Sequence, residues 1–243
     1  MCLIEDQTGY VAARDSYLRA MMAEWNRLPG DPTAALEGRY IPPATTTPLA
    51  AGKPADGSTA LIYLSALSAW ANSRDRRLVL LGEPGAGKTT FARFLAFSMA
   101  KIFPFGSAWP EEEVRLPLLP FILAPQTVAQ ALPPDARQGS AEMVEACLLE
   151  SLKSREGTRA FAAFALDALH ENGGLVIFDG LDAVAGAAQR QLAAQAAADF
   201  ARHHQRRHSA SHILVTCRTQ AFQRDEMGEL GAWEIHELKS FAG

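Results

Sequence analysis

Three cysteines in 243 residues, with no C-x-x-C pair among Cys2, Cys147 and Cys217, leave neither a disulfide framework nor a thiolate zinc site. A reducing, cytoplasmic compartment is the simplest reading. No apolar run approaches the roughly 20 residues needed to cross a bilayer. The opening MCLIEDQTGY is acidic and has no basic n-region or long apolar core, so no signal peptide is expected. Neither sign of charge dominates: 23 Lys and Arg face 27 Asp and Glu, a net charge of −4. That balance gives no global pull toward nucleic acid or anionic membrane, and neither is expected as a direct partner. What remains is 48% hydrophobic and 21% charged, an ordinary globular composition. The length suits one α/β domain of about 150 to 200 residues plus flanking pieces.

Residues 13–28 carry Tyr17, Leu18, Met21, Met22, Trp25 and Leu28 at helical spacing, which predicts a helix packed on a neighbouring surface. LPGDPTAALEGRYIPPATTTPLAAGKPADGS follows, rich in Pro, Gly, Ala and Thr, and reads as an extended linker. The expected division is therefore residues 1–57 as helix and linker, and 58–243 as the globular domain. Ser58 or Asp56 is the expected cap of a helix over TALIYLSALSAWANS, with Leu61, Leu64, Leu67 and Trp70 or Ala71 on one face. Beyond it, apolar runs alternate with helical patterns. The runs are RLVLLG (77–82), LPLLPFILA (116–124), GLVIFDG (174–180), HILVTCR (212–218) and AWEIHEL (232–238). Helices are expected at 88–103, 140–153, 158–171 and 186–206. Continuous apolar strands separated by helices predict a three-layer αβα domain around a five-stranded parallel sheet. Its ligand belongs at the carboxyl ends of the strands. Pro117 and Pro120 place the second strand at an edge.

Gly82-Glu-Pro-Gly-Ala-Gly87-Lys88-Thr89 satisfies G-x-x-x-x-G-K-[ST] between an apolar strand and an amphipathic helix. Glycines let successive backbone N–H groups turn inward as an anion nest, and the helix adds the positive end of its dipole. The expected cradle is Gly82, Glu83, Pro84, Gly85, Ala86, Gly87, Lys88, Thr89 and Thr90. Lys88 supplies a mobile charge for the β- and γ-phosphates, and Thr89 a hydroxyl for Mg²⁺. Asp179, where LVIFDGLD leaves its strand, can hold the same Mg²⁺ from the opposite side. Asp182 is the candidate to orient or deprotonate a water. Thr216 and Arg218 end ILVTCR beside the expected γ-phosphate position, where a planar guanidinium can bind two oxygens.

With those elements in order, the chain resembles the NACHT domains of the STAND class of P-loop NTPases, the nucleotide-binding core of NOD-like receptors and their bacterial relatives. The likeness covers about residues 60–241 and rests on LVLLGEPGAGKTT, LPLLPFILA, LVIFDGLD, HILVTCR and EIHELKSF. That family carries a Walker A ending in GKT or GKS, a small residue after the first Walker B aspartate (Gly180 here), and a T-x-R sensor strand (Thr216-Cys217-Arg218). The resemblance implies binding of ATP or ADP with Mg²⁺. It also implies a signalling switch, closed with ADP and open and homo-oligomeric with ATP, wired to sensor or effector domains in longer relatives. A defence role is implied in the same way. Two departures stand out. The usual D-G-L-D-E ends in Ala183, so weak ATP hydrolysis resting on Asp182 is expected. The chain also stops at KSFAG, where the family continues into a helical and a winged-helix part, so truncation after the nucleotide-binding core is expected.

The alternative is a turnover ATPase of another P-loop class, an AAA+-like motor, or a small-molecule kinase. No N-K-x-D motif favours a GTPase, no L-S-G-G-Q a transporter ATPase, and GTRAFAAF around Arg159 is poor material for a kinase lid. RHHQRRH (202–208) reads as a solvated cationic helix end; His204 and His208 are four apart, but no carboxylate is spaced along the chain to complete a metal site. EEE at 111–113 reads as a solvated turn, and Cys217 as a small core residue. The adenine pocket is placed, as a guess, near Arg76 and Arg77.

Overall fold

A strand buried on both faces has nowhere to hide a polar side chain, so it needs a run of Leu, Val, Ile and Phe. Four of the five predicted runs meet that demand. The computed structural model describes residues 7–48, 63–103, 118–133, 136–208 and 210–239. In chain order it comprises α1 (Gln7–Trp25), β1 (Arg27–Leu28), β2 (Asp31–Ala35), β3 (Ala44–Pro48), β4 (Tyr63–Ser65), α2 (Ala66–Ala71), β5 (Arg77–Leu81) and α3 (Lys88–Ile102). There follow β6 (Leu119–Leu123), α4 (Pro125–Ala131), α5 (Ala141–Lys153), α6 (Ala165–Asn172), β7 (Gly174–Phe178), α7 (Ala187–Arg207), β8 (His212–Cys217) and β9 (Glu234–Glu237).

The main sheet is all parallel, in the order β6-β7-β8-β5-β9. The three-layer α/β fold read from the alternating pattern is therefore present, with α1 and α3 packed together and α4, α5 and α6 gathered around α7. Leu78, Leu80, Val79, Val176, Ile177 and Leu214 fill the centre and are essentially inaccessible. Chain order reverses direction at β5: its connection leads out to edge strand β6, whereas β9 lies on its other side. A crevice at the carboxyl ends opens where such a reversal occurs, and the loop after β5 lies there.

Edge placement of β6 accommodates Pro120, which has no N–H to donate. Its carbonyl accepts a 2.5 Å hydrogen bond from the Tyr17 hydroxyl of α1. Tyr17 also stacks on Phe121 and Phe161, with ring centroids 5.5 and 4.9 Å apart. With Leu18, Met21 and Trp25 it joins the main core, so the predicted apolar stripe finds its surface on this sheet.

The described part of the expected linker is structured. β1 and β2 form a short antiparallel pair, β3 pairs with β4, and Thr45 bridges to Leu238 just beyond β9. These strands are held by backbone hydrogen bonds and small side chains, which give no apolar periodicity to read. The helix expected over residues 59–73 is shorter: Ser65 caps it, its Oγ accepting from the Ser68 amide at 3.0 Å. Ser58, Asp56 and Leu61 lie outside the described residues, as do Cys2 and most of the N-terminal decapeptide, residues 49–57 of the linker, Pro117, EEE 111–113, and the last four residues of KSFAG. The helix expected at 158–171 is divided into a 3₁₀ turn, Arg159–Ala163, and α6. Helix α4, opened by Pro125 in its first turn, carries too few apolar residues to show a period.

Two outcomes test this packing. Tyr17→Ala should cost about 3–5 kcal/mol, the range for a buried aromatic, and lower the Tm by on the order of 10 °C. Val11→Ala, at an exposed position of the same helix, should stay within about 0.5 kcal/mol. Equal Tm values would show that α1 is not part of the cooperative unit. His212, packed against Trp70, is held neutral mainly by burial, and a further push comes from Arg76; its pKa falls to about 4. The unfolded chain, with an ordinary value near 6.5, then binds the extra proton first, so stability drops as pH falls from about 6.5 toward 4. Urea titrations of His212→Asn and the parent should show a flatter pH profile for the variant over that window.

Candidate functional site

Gly82 follows β5 in tight surroundings: a Cβ there would stand 3.1 Å from the Ala86 Cβ and 3.3 Å from the Leu238 Cβ, so those neighbours would have to give by a few tenths of an ångström. The loop turns through Gly85 and Gly87, at φ +81° and +91°, a region that L side chains avoid. Gly87 is the residue before α3, whose first turn holds Lys88, Thr89 and Thr90, all half-buried. Pro84 and Gly85 face outward, while Ala86 is buried under the loop. The Lys88 ammonium donates to the carbonyls of Gly82 at 2.6 Å and Glu83 at 3.0 Å. Its pKa is lowered, chiefly by burial, against a raising pull from Asp182. All nine loop residues predicted from the motif thus form one strand–turn–helix unit.

Asp179 follows β7, and its amide donates to the Leu123 carbonyl of β6 at 2.9 Å. Its Oδ1 accepts a 2.6 Å hydrogen bond from the Thr216 hydroxyl. The same hydroxyl accepts from the Gly180 amide at 2.8 Å. Thr216 is fully buried on β8, so one side chain ties the ends of two neighbouring strands. Gly180 sits at φ +87°, ψ 54°, and a Cβ there would meet nothing within 4 Å. Its requirement is conformational rather than steric: the left-handed turn swings the chain so that Leu181 is buried and Asp182 returns toward β8.

Asp182 and Arg218 meet each other. Arg218 Nε lies 2.8 Å from Asp182 Oδ2, and the Arg218 amide donates to Oδ1 at 3.1 Å. Both carboxylate oxygens are engaged by one residue. Asp182 is 14% exposed, whereas the Arg218 side chain is 57% exposed, so the guanidinium sits at an open rim. Ala183 is exposed one residue on, in the short 3₁₀ turn 181–183. Cys217, between Thr216 and Arg218, is buried, and burial with the nearby Asp182 charge pushes its thiol up to about 12. At neutral pH it is an inert core residue.

A sequence model of the NACHT domain matches residues 76–243. The chain belongs to the NACHT family. Among curated proteins, none matches it. As a NACHT domain it is a nucleotide-binding module of the P-loop NTPase type, and its five-stranded parallel sheet agrees with that fold. Among the described residues no helix is long and apolar enough to cross a membrane.

The residues around this NACHT site fit a magnesium nucleotide by their donor set: loop amides opened by two left-handed glycines, one ammonium, one threonine hydroxyl and one carboxylate. Arg76 and Arg77 do not join it. They stand at the amino end of β5, a strand's length from the loop, where Arg77 Nε donates to Gln205 at 2.5 Å and its guanidinium lies over Trp233. On the loop's own side the neighbour is β3. Leu238 donates from its amide to Leu81, Lys239 to Ala44, and Thr47 bonds the His236 ring at 2.7 Å. No motif announces this contact; YIPPATTTP is legible as extended chain and nothing more.

Thr216→Val keeps the volume and deletes the hydroxyl. It leaves the Gly180 amide and an Asp179 oxygen without their shared partner, and the expected cost is about 1–3 kcal/mol in thermal or urea denaturation. A variant as stable as the parent would show that this bridge is dispensable.

Proposed function

We propose that this NACHT domain is an ATP/ADP-gated switch that hydrolyses ATP slowly, with Arg218 as the element that distinguishes the two nucleotides. In this reading residues 82–90 hold the phosphates, with Lys88 as the charged partner of the β- and γ-groups. Thr89 and Asp179 are the ligands for Mg²⁺, a Lewis acid that neutralises phosphate charge when bound. The observation that carries the reading is the Asp182–Arg218 pair, in which the exposed guanidinium pairs with one oxygen of the acid and the Arg218 amide holds the other.

Two consequences follow from that pairing. Both Asp182 oxygens are already engaged by Arg218, one by its guanidinium and one by its amide, so the acid is occupied where a water would have to be oriented, and Ala183 offers no second carboxylate. Slow turnover is the expected result. Arg218 at the rim can exchange Asp182 for a γ-phosphate, because phosphate can accept two N–H bonds from the planar fork where Asp182 meets only its Nε. The exchange would remove the ion pair and leave the turn 181–183 tied to Arg218 by its amide alone, loosening the surface between β7 and β8 with nucleotide state. In this proposal residues 58–243 are the nucleotide-binding unit, homo-oligomerisation belongs to the ATP state, and the cytoplasmic signalling or defence output comes from parts outside the described residues.

Calorimetric titration with ATP and ADP in Mg²⁺, with phosphate release followed on the same samples, tests it. Lys88→Ala should abolish saturable binding. Arg218→Ala should weaken ATP by about tenfold, a 1.4 kcal/mol loss, and leave ADP unchanged. Phosphate release at about 1 s⁻¹ or faster, ordinary for enzymes, would contradict the switch and point to a turnover ATPase. Equal loss of ATP and ADP affinity in Arg218→Ala would remove the sensor role.

A further inference from the structure

Far from the phosphate loop, three helices bring together side chains that no sequence spacing connects. Glu145 on α5, His170 on α6 and His204 on α7 each offer a ligand atom, and these atoms lie within 4.8 Å of one another. Glu145 Oε1 is 3.1 Å from His204 Nε2 and 3.6 Å from His170 Nε2. Around a tetrahedral zinc ion with bonds of about 2.0–2.1 Å, neighbouring donor atoms stand about 3.3–3.4 Å apart. Two of the three edges therefore bracket that spacing already. His204 lies 17 residues into α7, which puts the cluster about 25 Å along the helix from its first residue, Ala187.

The cluster is poorly satisfied by hydrogen bonding alone. His170 Nε2, one of the atoms that face Glu145, is buried with no partner within hydrogen-bond reach among the described residues, whereas the Nδ1 that His204 leaves unpaired is not the atom turned to Glu145. Buried polar atoms rarely stay unpaired, because each costs the desolvation of a group that water would have served. The imidazoles stack, with centroids 4.8 Å apart, and Phe200 closes over His204 at 4.0 Å. One charge opposes a cation here: Arg207 NH1 donates to His170 Nδ1 at 2.9 Å. Arg207 is exposed at the last position of α7, so its guanidinium has solvent to swing into.

We propose that Glu145, His170 and His204 form a site for one divalent transition-metal ion of the zinc class. Two imidazoles and one carboxylate supply three ligands, and the fourth position opens toward solvent past Glu145 and His170, whose side chains are 18% and 21% exposed. Such an ion would pin α5, α6 and α7 together on one side of the sheet, coupling metal affinity to the stability of that layer. His208, the other histidine that a four-residue spacing suggests, takes no part; it lies beyond the end of α7 against Gly173.

The test is titration of the purified full chain with Zn²⁺ against a competing chelator dye, repeated with Co²⁺ to read its visible spectrum. One ion per chain at micromolar or tighter affinity is expected, with the intense visible bands of four-coordinate Co²⁺. His170→Ala and Glu145→Gln, both at partly exposed positions and checked for folding by circular dichroism, should each weaken binding at least tenfold. Arg207→Ala should tighten it by removing a competing donor and a like charge. Lys88→Ala should leave it unchanged, which separates this site from the nucleotide reading. No binding at about 100 µM Zn²⁺, or binding indifferent to both ligand variants, would overturn the proposal and leave a polar helix junction.

Discussion

One buried hydroxyl holds the candidate site in register. Thr216 donates to Asp179 and accepts from Gly180, and so closes the gap that two parallel strands leave where their backbone ladder ends. In a sheet buried on both faces, the first polar groups past the ladder cannot turn to water without exposing the core beneath them. A short hydroxyl on β8 satisfies both an amide and a carboxylate of β7 without adding volume. The position of Asp179 beside the phosphate loop rests on that bond, and so does the turn that carries Asp182 back to Arg218.

The second constraint is close packing beneath the loop. Gly82 leaves β5 between Ala86 and Leu238, close enough that a Cβ would push both back by a few tenths of an ångström. Leu238 comes from the strand on the far side of β5 and is tied to Leu81 by its amide. The phosphate loop is thus clamped between α3 and the end of β9, and β3 closes the outer side through Thr45. Rigid support of this kind is what a set of backbone donors needs if they are to face an anion without reorganising.

Legibility followed the range of the interactions. The phosphate loop, the acidic strand end and the Thr216–Arg218 strand end were readable because each is a local strand-to-loop event with its own residue chemistry. Four of the five main strands were readable because burial on both faces demands unbroken apolar runs; β9, Glu-Ile-His-Glu at an edge, is the exception. The short strands β1 to β4 were not, since Thr, Ala and Pro pair there through backbone with little apolar signal. The burial of α1 was visible as a stripe, but its partner was not: Tyr17 meets Pro120 across 103 residues. Arg76 and Arg77 misled because proximity to the first strand says nothing about which end of that strand faces the ligand. His204 was read as a solvated helix end from its basic neighbours. In the fold it is buried against Phe200 and Glu145, because a helix shows its neighbours on different faces.

By itself, then, the sequence determined the fold class, the phosphate-binding loop and the two strand ends that flank it, since each of these depends on residues within one strand, one turn and one helix. Tertiary structure alone decided three things. It paired Asp182 with Arg218 through the left-handed turn at Gly180, it set β3 against the end of β9, and it gathered Glu145, His170 and His204 from three helices. Each is a contact between segments distant in sequence, whose meeting depends on strand order and helix rotation. Neither quantity is encoded by the residues at the contact; both come from how the whole chain buries its apolar surface.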